Sequence, residues 1–207
     1  MKLLLIRHGQ SVANLEGRLQ GCLDSPLTDR GREQARALAH RLVCEGWLVS
    51  AIHTSDLGRA AETAEILGAA LRAPLSLDER LREYDVGVLT GLKEGEIKDR
   101  YPEIWHTLRH SAEWPAILGE EGDRAFRQRV ASVLDNIRAN HDQDGSVAVV
   151  SHGRTLSMIL AQLLGIDHDQ RMLFHFGNTS LSVVELYSHR VMLASLNDLC
   201  HLDHDLR

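Results

Sequence analysis

The chain has 207 residues, 43% of them hydrophobic and 25% charged, the balance of an ordinary soluble domain whose core needs no covalent staples. A formal net charge of -6 argues against a general role with nucleic acid or an anionic membrane surface, while leaving room for a local basic pocket. No run approaches the roughly 18 apolar residues of a membrane helix, and the four apolar residues after Lys2 are too few for a secretory leader, so a cytosolic (cytoplasmic) location is expected.

In chain order, residues 2–6 form the first short aliphatic run and read as a strand buried on both faces. Between Thr28 and Glu45 the apolar residues Ala35, Leu38, Ala39 and Leu42 recur at helical spacing, with Thr28 or Asp29 as the cap and Gly46 as the stop. This helix should lie against the sheet. Ala51-Ile52-His53 reads as a brief strand, followed by a helix from about Asp56 to Leu71 that buries its Ala and Leu face, turns Glu62 and Glu65 outward and is ended by Pro74. The stretch from Leu81 to about Gly122 is richer in Gly and Pro, holds Trp105 and Trp114, and reads as an irregular insertion with short helices. A long helix from about Asp123 to Ala139 leads into a second buried strand at 146–151, then a helix from Thr155 to Leu164 and two strands near 180–187 and 190–196. Alternating strands and helices predict an α/β fold, a three-layer α/β/α sandwich on a mostly parallel central sheet. We expect a single domain over 1–207 with a lid-like insertion at about 84–122.

The chemistry concentrates at two strand ends. Arg7-His8-Gly9 follows the first apolar strand directly, and Ser151-His152-Gly153 follows the second. In open α/β sheets ligands bind beyond the carboxyl ends of the strands, so both histidines stand where a substrate would be met. Arg7 adds a permanent cation whose forked donors match phosphate or carboxylate. The residues alone thus point to an anionic ligand and a histidine nucleophile. Cys22, Cys44 and Cys200 are an odd, widely separated set without a CxxC pair and read as free thiols. His201 to Asp205 is the one stretch with ligand-like spacing, yet no HExxH or P-loop signature occurs, so neither a metal nor another cofactor is expected.

Further blocks accompany these ends: Gln10, Ser11 and Asn14, then Gly17-Arg18-Leu19-Gln20-Gly21, Asp24-Ser25-Pro26-Leu27-Thr28, Thr54-Ser55-Asp56-Leu57-Gly58-Arg59, Leu81-Arg82-Glu83-Tyr84, and Val149-Val150-Ser151-His152-Gly153. In that order they resemble the histidine phosphatase superfamily, also called the phosphoglycerate mutase-like family, over roughly residues 2–187. The resemblance implies that His8 takes the phosphoryl group, that Arg7, Asn14, Arg59 and His152 hold it, and that Glu83 is the acid. Gln20 and Ser11 match positions bordering the pocket. Gly153, and Gly9 likewise, would allow close approach because glycine has no Cβ.

Physical chemistry agrees with these roles. An attacking imidazole must be neutral, with its second nitrogen hydrogen-bonded so that the tautomer is set, and neighbouring arginines disfavour its protonation. An alkoxide leaving group needs a proton, and the donor can later deprotonate the attacking water. Arginine beside the nucleophile supplies the positive charge that a divalent cation supplies elsewhere, so metal-independent turnover is expected.

The chain departs from the family in two places. Gly87-Val88-Leu89-Thr90-Gly91 lacks the Trp and Glu of a common Gly-x-Trp-Glu-Gly block, and Gly119-Glu120-Glu121-Gly122-Asp123 lacks the serine of a Gly-Glu-Ser block. Both fall in the insertion, where specificity is carried, and Tyr101, Trp105, Trp114 and Leu118 are candidates there for an apolar or ring-bearing ester. The insertion is shorter than the mutases of the superfamily imply, which favours hydrolysis of a small phosphorylated metabolite over a mutase or a silent binding protein. The apolar strands near 180–196 leave a homodimer open.

Overall fold

The structure is a computed structural model, and it describes residues 1–111, 114–142, 144–167 and 172–206. Its strands are β1 (Lys2–Arg7), β2 (Val49–Thr54), β3 (Leu75–Leu77), β4 (Ser146–Ser151), β5 (Leu181–Leu186) and β6 (Val191–Asp198), forming one sheet in the order β3-β2-β4-β1-β5-β6. β4 runs parallel to β1 and β2, and β2 runs parallel to β3. β5 is antiparallel to both β1 and β6, so five strands share one direction and β5 opposes them.

The helices are α1 (Val12–Leu15), α2 (Asp29–Cys44), α3 (Gly58–Leu71), α4 (Glu94–Arg100), α5 (Pro102–His110), α6 (Asp123–Asn140) and α7 (Gly153–Leu164). Side chains on a strand alternate between faces, and β1 divides its apolar run accordingly. Leu4 and Ile6 join Ala148 and Val150 against Leu38 and Leu42 of α2 and Ala60 and Ala64 of α3. Leu3 and Leu5 join Val147 and Val149 against Val130 and Leu134 of α6 and Ile159 of α7. Each fully buried leucine or isoleucine here contributes about 1.5–3 kcal/mol. Two apolar layers on one sheet make the three-layer α/β/α sandwich expected from the alternation of elements.

Several boundaries differ from the sequence reading for identifiable reasons. α3 ends at Leu71 as expected but starts at Gly58 rather than Asp56, and its stop is Arg72 rather than Pro74: Arg72 takes a left-handed conformation, φ 55°, and its N–H closes on Gly68 O. β3 went unrecognised because all three of its residues are exposed, so it has no buried face to pattern. α7 begins at Gly153 rather than Thr155, which brings two more residues into its first turn. β5 is an interior strand, whereas β6 is an edge strand with Met192 and Leu196 exposed.

Residues 84–122 hold a 3₁₀ turn at Gly87–Leu89 together with α4 and α5. Gly87, at φ 55°, lies so close to the chain opposite that an added Cβ would stand 2.2 Å from Leu118 O. Glycine is therefore required at that turn. Tyr84, Leu89, Ile97 and Ile117 join the same apolar cluster as α6 and α7, so the segment shares that core. Among the described residues, no helix is long and apolar enough to cross a membrane.

Candidate active site

Strand register brings the two histidines together. Arg7 pairs with Ser151 across β1 and β4, and His8 N donates to Ser151 O at 3.0 Å, so the residues that follow the strands lie side by side. The His8 and His152 rings are 5.1 Å apart and both are buried. Two cationic rings at that separation would repel by about 3 kcal/mol at an effective dielectric near 20. Burial first, and then Arg59 and Arg7, hold His8 well below the ordinary histidine range. Burial, Arg59, His8 and Arg7 do the same for His152.

His8 Nδ1–H donates to Gly9 O at 2.7 Å, which leaves the lone pair on Nε2. Arg59 Nε–H points at that lone pair from 3.3 Å, a long contact that a phosphate oxygen can replace. His8 thus has the form a nucleophile needs: neutral, one tautomer, one nitrogen committed to the backbone. His152 is held differently. Its Nε2 lies 2.9 Å from Ser55 Oγ, whose hydroxyl can donate to it, and in that tautomer the ring proton is on Nδ1. Nδ1 is buried without a partner among the described residues, as is Arg7 Nε. Two orphaned donors beside a neutral histidine are what an anion would satisfy.

Two arginines frame His8. Arg59 in the first turn of α3 is only 1% exposed; its Nη1 donates to Leu23 O at 2.6 Å and its Nη2 to Gly21 O at 2.9 Å. Arg7 Nη1 donates to Phe176 O at 2.6 Å. These bonds fix both guanidinium planes before any ligand arrives. Asn14 lines the same cavity; its Oδ1 accepts from Ser11 N at 3.1 Å and from Asn178 Nδ2 at 3.3 Å, leaving its amide nitrogen for a ligand. Gln20 also lines the cavity, and its Oε1 is 2.8 Å from Ser11 Oγ. Ser11 itself lies behind the wall, fully buried as the cap of α1, so it positions Asn14 and Gln20 rather than bordering the pocket.

The two glycines separate. Gly153 lines the cavity, and an added Cβ would meet Arg7 and Met172 only at ordinary contact distance. Gly9 does not face the ligand: a Cβ there would stand 2.4 Å from Gly31 O, so it is a close-packing glycine between the β1 end and α2. Its expected role is corrected accordingly.

Glu83 reaches the cavity from the turn after residues 79–81. Its Oε1 accepts from Tyr84 N at 2.9 Å and Thr155 N at 3.1 Å, and its Oε2 accepts from Arg154 N at 3.2 Å. The carboxyl is therefore seated on the first turn of α7, where free N–H groups collect. Arg129 of α6 secures the strand of chain behind it, donating to Arg80 O, Arg82 O and Glu83 O at 2.8, 2.9 and 3.1 Å while paired with Glu121.

The cavity that Arg7, His8, Asn14, Gln20, Arg59, Glu83 and Gly153 share is about 370 Å³, lined also by Arg18, Leu19, Tyr84, Val86, Trp114, Arg154, Met172, His175 and Phe176, while His152 packs against His8 and is not in the lining. A larger depression, about 530 Å³ beside Lys2 and Tyr187, lies at the opposite end of β1 and has no histidine in its lining. Of the four candidates in the insertion, Trp114 alone lines the cavity. Leu118 is 78% exposed, and Tyr101 and Trp105 pack on the apolar cluster, with Trp105 lining a separate groove. Cys22, Cys44 and Cys200 are free thiols. His201 Nε2 lies 3.1 Å from Thr179 Oγ1, whereas His204 is exposed, so the C-terminal histidines do not converge.

Ser55, Arg129, Glu120, Arg154 and Asn178 carry no site role in the sequence reading. Ser55 follows the end of β2, the same positional signal that exposed His8 and His152. Asn178 gave no such signal, because it precedes β5, and only the reversed direction of β5 brings that start beside the ends of β1 and β4.

An open α/β sheet with a neutral, oriented histidine between two arginines, and a carboxyl held opposite, defines a site for phosphoryl transfer through histidine. Over residues 3–199 the sequence matches the model of the histidine phosphatase superfamily (branch 1), and the chain belongs to that family. Phosphoserine phosphatase 1 of Hydrogenobacter thermophilus is 33% identical over 205 residues, 98% of this chain and 94% of that one. A probable phosphoglycerate mutase GpmB of Photorhabdus laumondii is 35% identical over 212 residues, 98% of this chain and 95% of that one. Among solved structures, YhfR of Bacillus stearothermophilus superposes with a TM-score of 0.87 at 32% identity, covering 97% of this chain and 98% of that one.

Proposed function

We propose that this chain is a metal-independent phosphomonoester hydrolase that works on a small phosphorylated metabolite through phosphohistidine at His8. The observation that carries the reading is the state of His8: neutral, Nδ1–H bound to Gly9 O, Nε2 holding only the long contact from Arg59 beside a cavity that Arg7 and Arg59 also line.

In the first half, His8 Nε2 attacks phosphorus, the ester P–O bond breaks, and Glu83 delivers its proton to the leaving oxygen. In the second half, water attacks phosphorus, the N–P bond breaks, and the proton lost by water returns to Glu83. Arg7, Arg59, Asn14 and His152 Nδ1–H bind the phosphoryl oxygens, with Gln20 and Gly153 at the rim. Positioned donors and cations of this kind supply most of the catalysis in phosphoryl transfer. Ser11 acts through Asn14 and Gln20. In the same proposal, residues 84–122 are a lid-like insertion within a single domain of 1–207.

A mutase would use the same residues and pass the phosphoryl group to a retained hydroxyl, and several relatives carry a probable phosphoglycerate mutase name. The relatives named as phosphoserine phosphatases, matched over 97–98% of this chain, favour water as acceptor. The test is hydrolysis of p-nitrophenyl phosphate in EDTA by the native chain and by His8→Ala. Release of inorganic phosphate that His8→Ala abolishes is expected, together with a phosphorylated His8 trapped by alkaline quench and seen by mass. Equal turnover by both proteins would refute the nucleophile, and turnover lost to EDTA would refute metal independence.

A further inference from the structure

Arg72, Thr179 and Asn197 are the non-glycine residues with positive φ among the described residues. Arg72 ends a helix and asparagine enters the left-handed region readily, but Thr179, at φ 55°, is β-branched and fully buried. Strain of that kind persists where the surroundings over-determine the conformation, and it collects at functional sites. The strained conformation aims Thr179 at the residues that handle phosphate. Its N–H donates to Arg7 O at 3.0 Å and to His8 O at 3.3 Å. Asn178 Nδ2, one residue earlier, donates to His8 O at 3.0 Å and to Asn14 Oδ1 at 3.3 Å, and Phe176 O accepts from Arg7 Nη1 at 2.6 Å. One turn, residues 176–179, therefore sets Arg7, His8 and Asn14 against one another. Arg59 is fixed separately, by Leu23 O and Gly21 O.

Glycine would adopt this φ without strain, so what the chain gains from threonine is the hydroxyl. Thr179 Oγ1 lies 2.7 Å from Asn178 O and 3.1 Å from His201 Nε2. Burial, foremost, lowers the His201 imidazole to about 4, so near neutral pH the contact joins two uncharged groups. The segment after β6 grips the turn a second time. Gly177 N donates to Asn197 Oδ1 at 2.6 Å, and an added Cβ at Gly177 would stand 2.9 Å from Leu199 Cδ1. Neither Thr179 nor His201 lines the cavity, so both can act only through the residues they hold.

We infer that Thr179, held through its hydroxyl by His201, is a positioning residue of this site: it sets the strand end that carries Arg7 and His8, and Asn14 through Asn178, relative to the bound phosphoryl group. The inference rests on the phosphatase reading and adds to it two residues that touch no substrate.

The experiment measures kcat and KM for p-nitrophenyl phosphate, competitive inhibition by inorganic phosphate and the folded fraction from urea unfolding, on the native chain and on Thr179→Gly, Thr179→Ser, His201→Ala and His201→Gln. Thr179→Gly removes the hydroxyl and relieves the strain together, so it tests position in a chain that still folds. Displacing His8 by up to about an ångström leaves Arg59 to bind phosphate but spoils the line of attack. A fall in kcat of about ten- to hundredfold is therefore expected in Thr179→Gly, with the inhibition constant for phosphate changed by less than about threefold. In His201→Ala a loss of about three- to tenfold in kcat is expected. Thr179→Ser keeps the hydroxyl, and His201→Gln keeps an uncharged amide that can donate or accept, so each is expected to recover most of the loss. A kcat per folded molecule within about twofold of native in both Thr179→Gly and His201→Ala would overturn the inference. So would equal losses in the conservative variants, or a phosphate inhibition constant that rises in step with the fall in kcat, which would make the effect one of binding. These outcomes leave the phosphatase reading intact, because the native chain still turns over. Failure of the native chain to hydrolyse the ester would instead overturn the phosphatase reading, and this inference with it.

Discussion

The two sides of the cavity are built in different ways. On the scaffold side, His8, His152 and Arg7 leave the ends of strands buried on both faces, and strand register alone brings them together. On the other side, Tyr84, Trp114 and Glu120 are assembled from a segment of turns and short helices, and one carboxylate holds the two rings. Register allows no adjustment smaller than a residue, whereas a segment of turns can change its wall by single substitutions. Chemistry belongs to the first kind of construction and substrate choice to the second.

This contrast can be broken first at its strongest point. His8→Ala is expected to lower kcat by at least about 10³-fold on every ester, since it removes the ring nitrogen that faces Arg59; comparable turnover on any phosphomonoester would show that the scaffold side does not hold the chemistry. Glu83→Gln comes next. For an alkyl ester, a loss of about 10²-fold in kcat is expected, and a much smaller one for p-nitrophenyl phosphate, whose leaving group needs no proton. Equal losses on both esters would remove the acid role and leave Glu83 as a cap on α7.

Stability sharpens the comparison further. Gly87→Ala must displace either the 87 turn or Leu118, and about 1–3 kcal/mol of destabilisation is expected, read by urea unfolding. Hydrogen exchange should place the loss in residues 84–122 while β1 and β4 stay protected; uniform loss of protection would mean that the two sides unfold as one.

The scaffold histidines carry the smallest expected effect and a defined sign. Both are held well below 6.5 in the native chain, whereas the unfolded chain takes up their protons near that value. The unfolded state then binds more protons below pH 6.5, so stability is complete above that pH and falls as pH drops, by up to about 1.4 kcal/mol per pH unit per histidine. Unfolding measured at pH 7.5 and 5.5 should show a shallower decline in His152→Phe than in the native chain. An equal decline would mean that His152 is not neutral in the fold.

Much of the site was legible before the fold was known. An apolar run ending in Arg-His-Gly, and another ending in Ser-His-Gly, specify buried parallel strands and what stands at their ends, because a strand's environment is written in its own composition and periodicity. The long helices were equally legible from their apolar faces. Ser11 was misplaced because its hydroxyl caps α1 behind the wall, a distinction of facing that a strand-to-helix turn does not encode. Gly9 was misread because the chain that needs its missing Cβ is Gly31, 22 residues away in sequence.

Sequence by itself thus determined the sheet's central strands, the family blocks and the histidines and arginine that stand at the strand ends, all of which depend on local pattern. Tertiary structure alone decided that His8 Nδ1 is bound and Nε2 open, that Glu83 sits on α7, that β5 runs backwards and delivers Asn178, and that Arg154 is held by Tyr84 and Trp114. Each of these depends on atoms distant in sequence meeting within a few ångströms, and hydrogen bonds and ring contacts of that range are fixed only once the layers have packed.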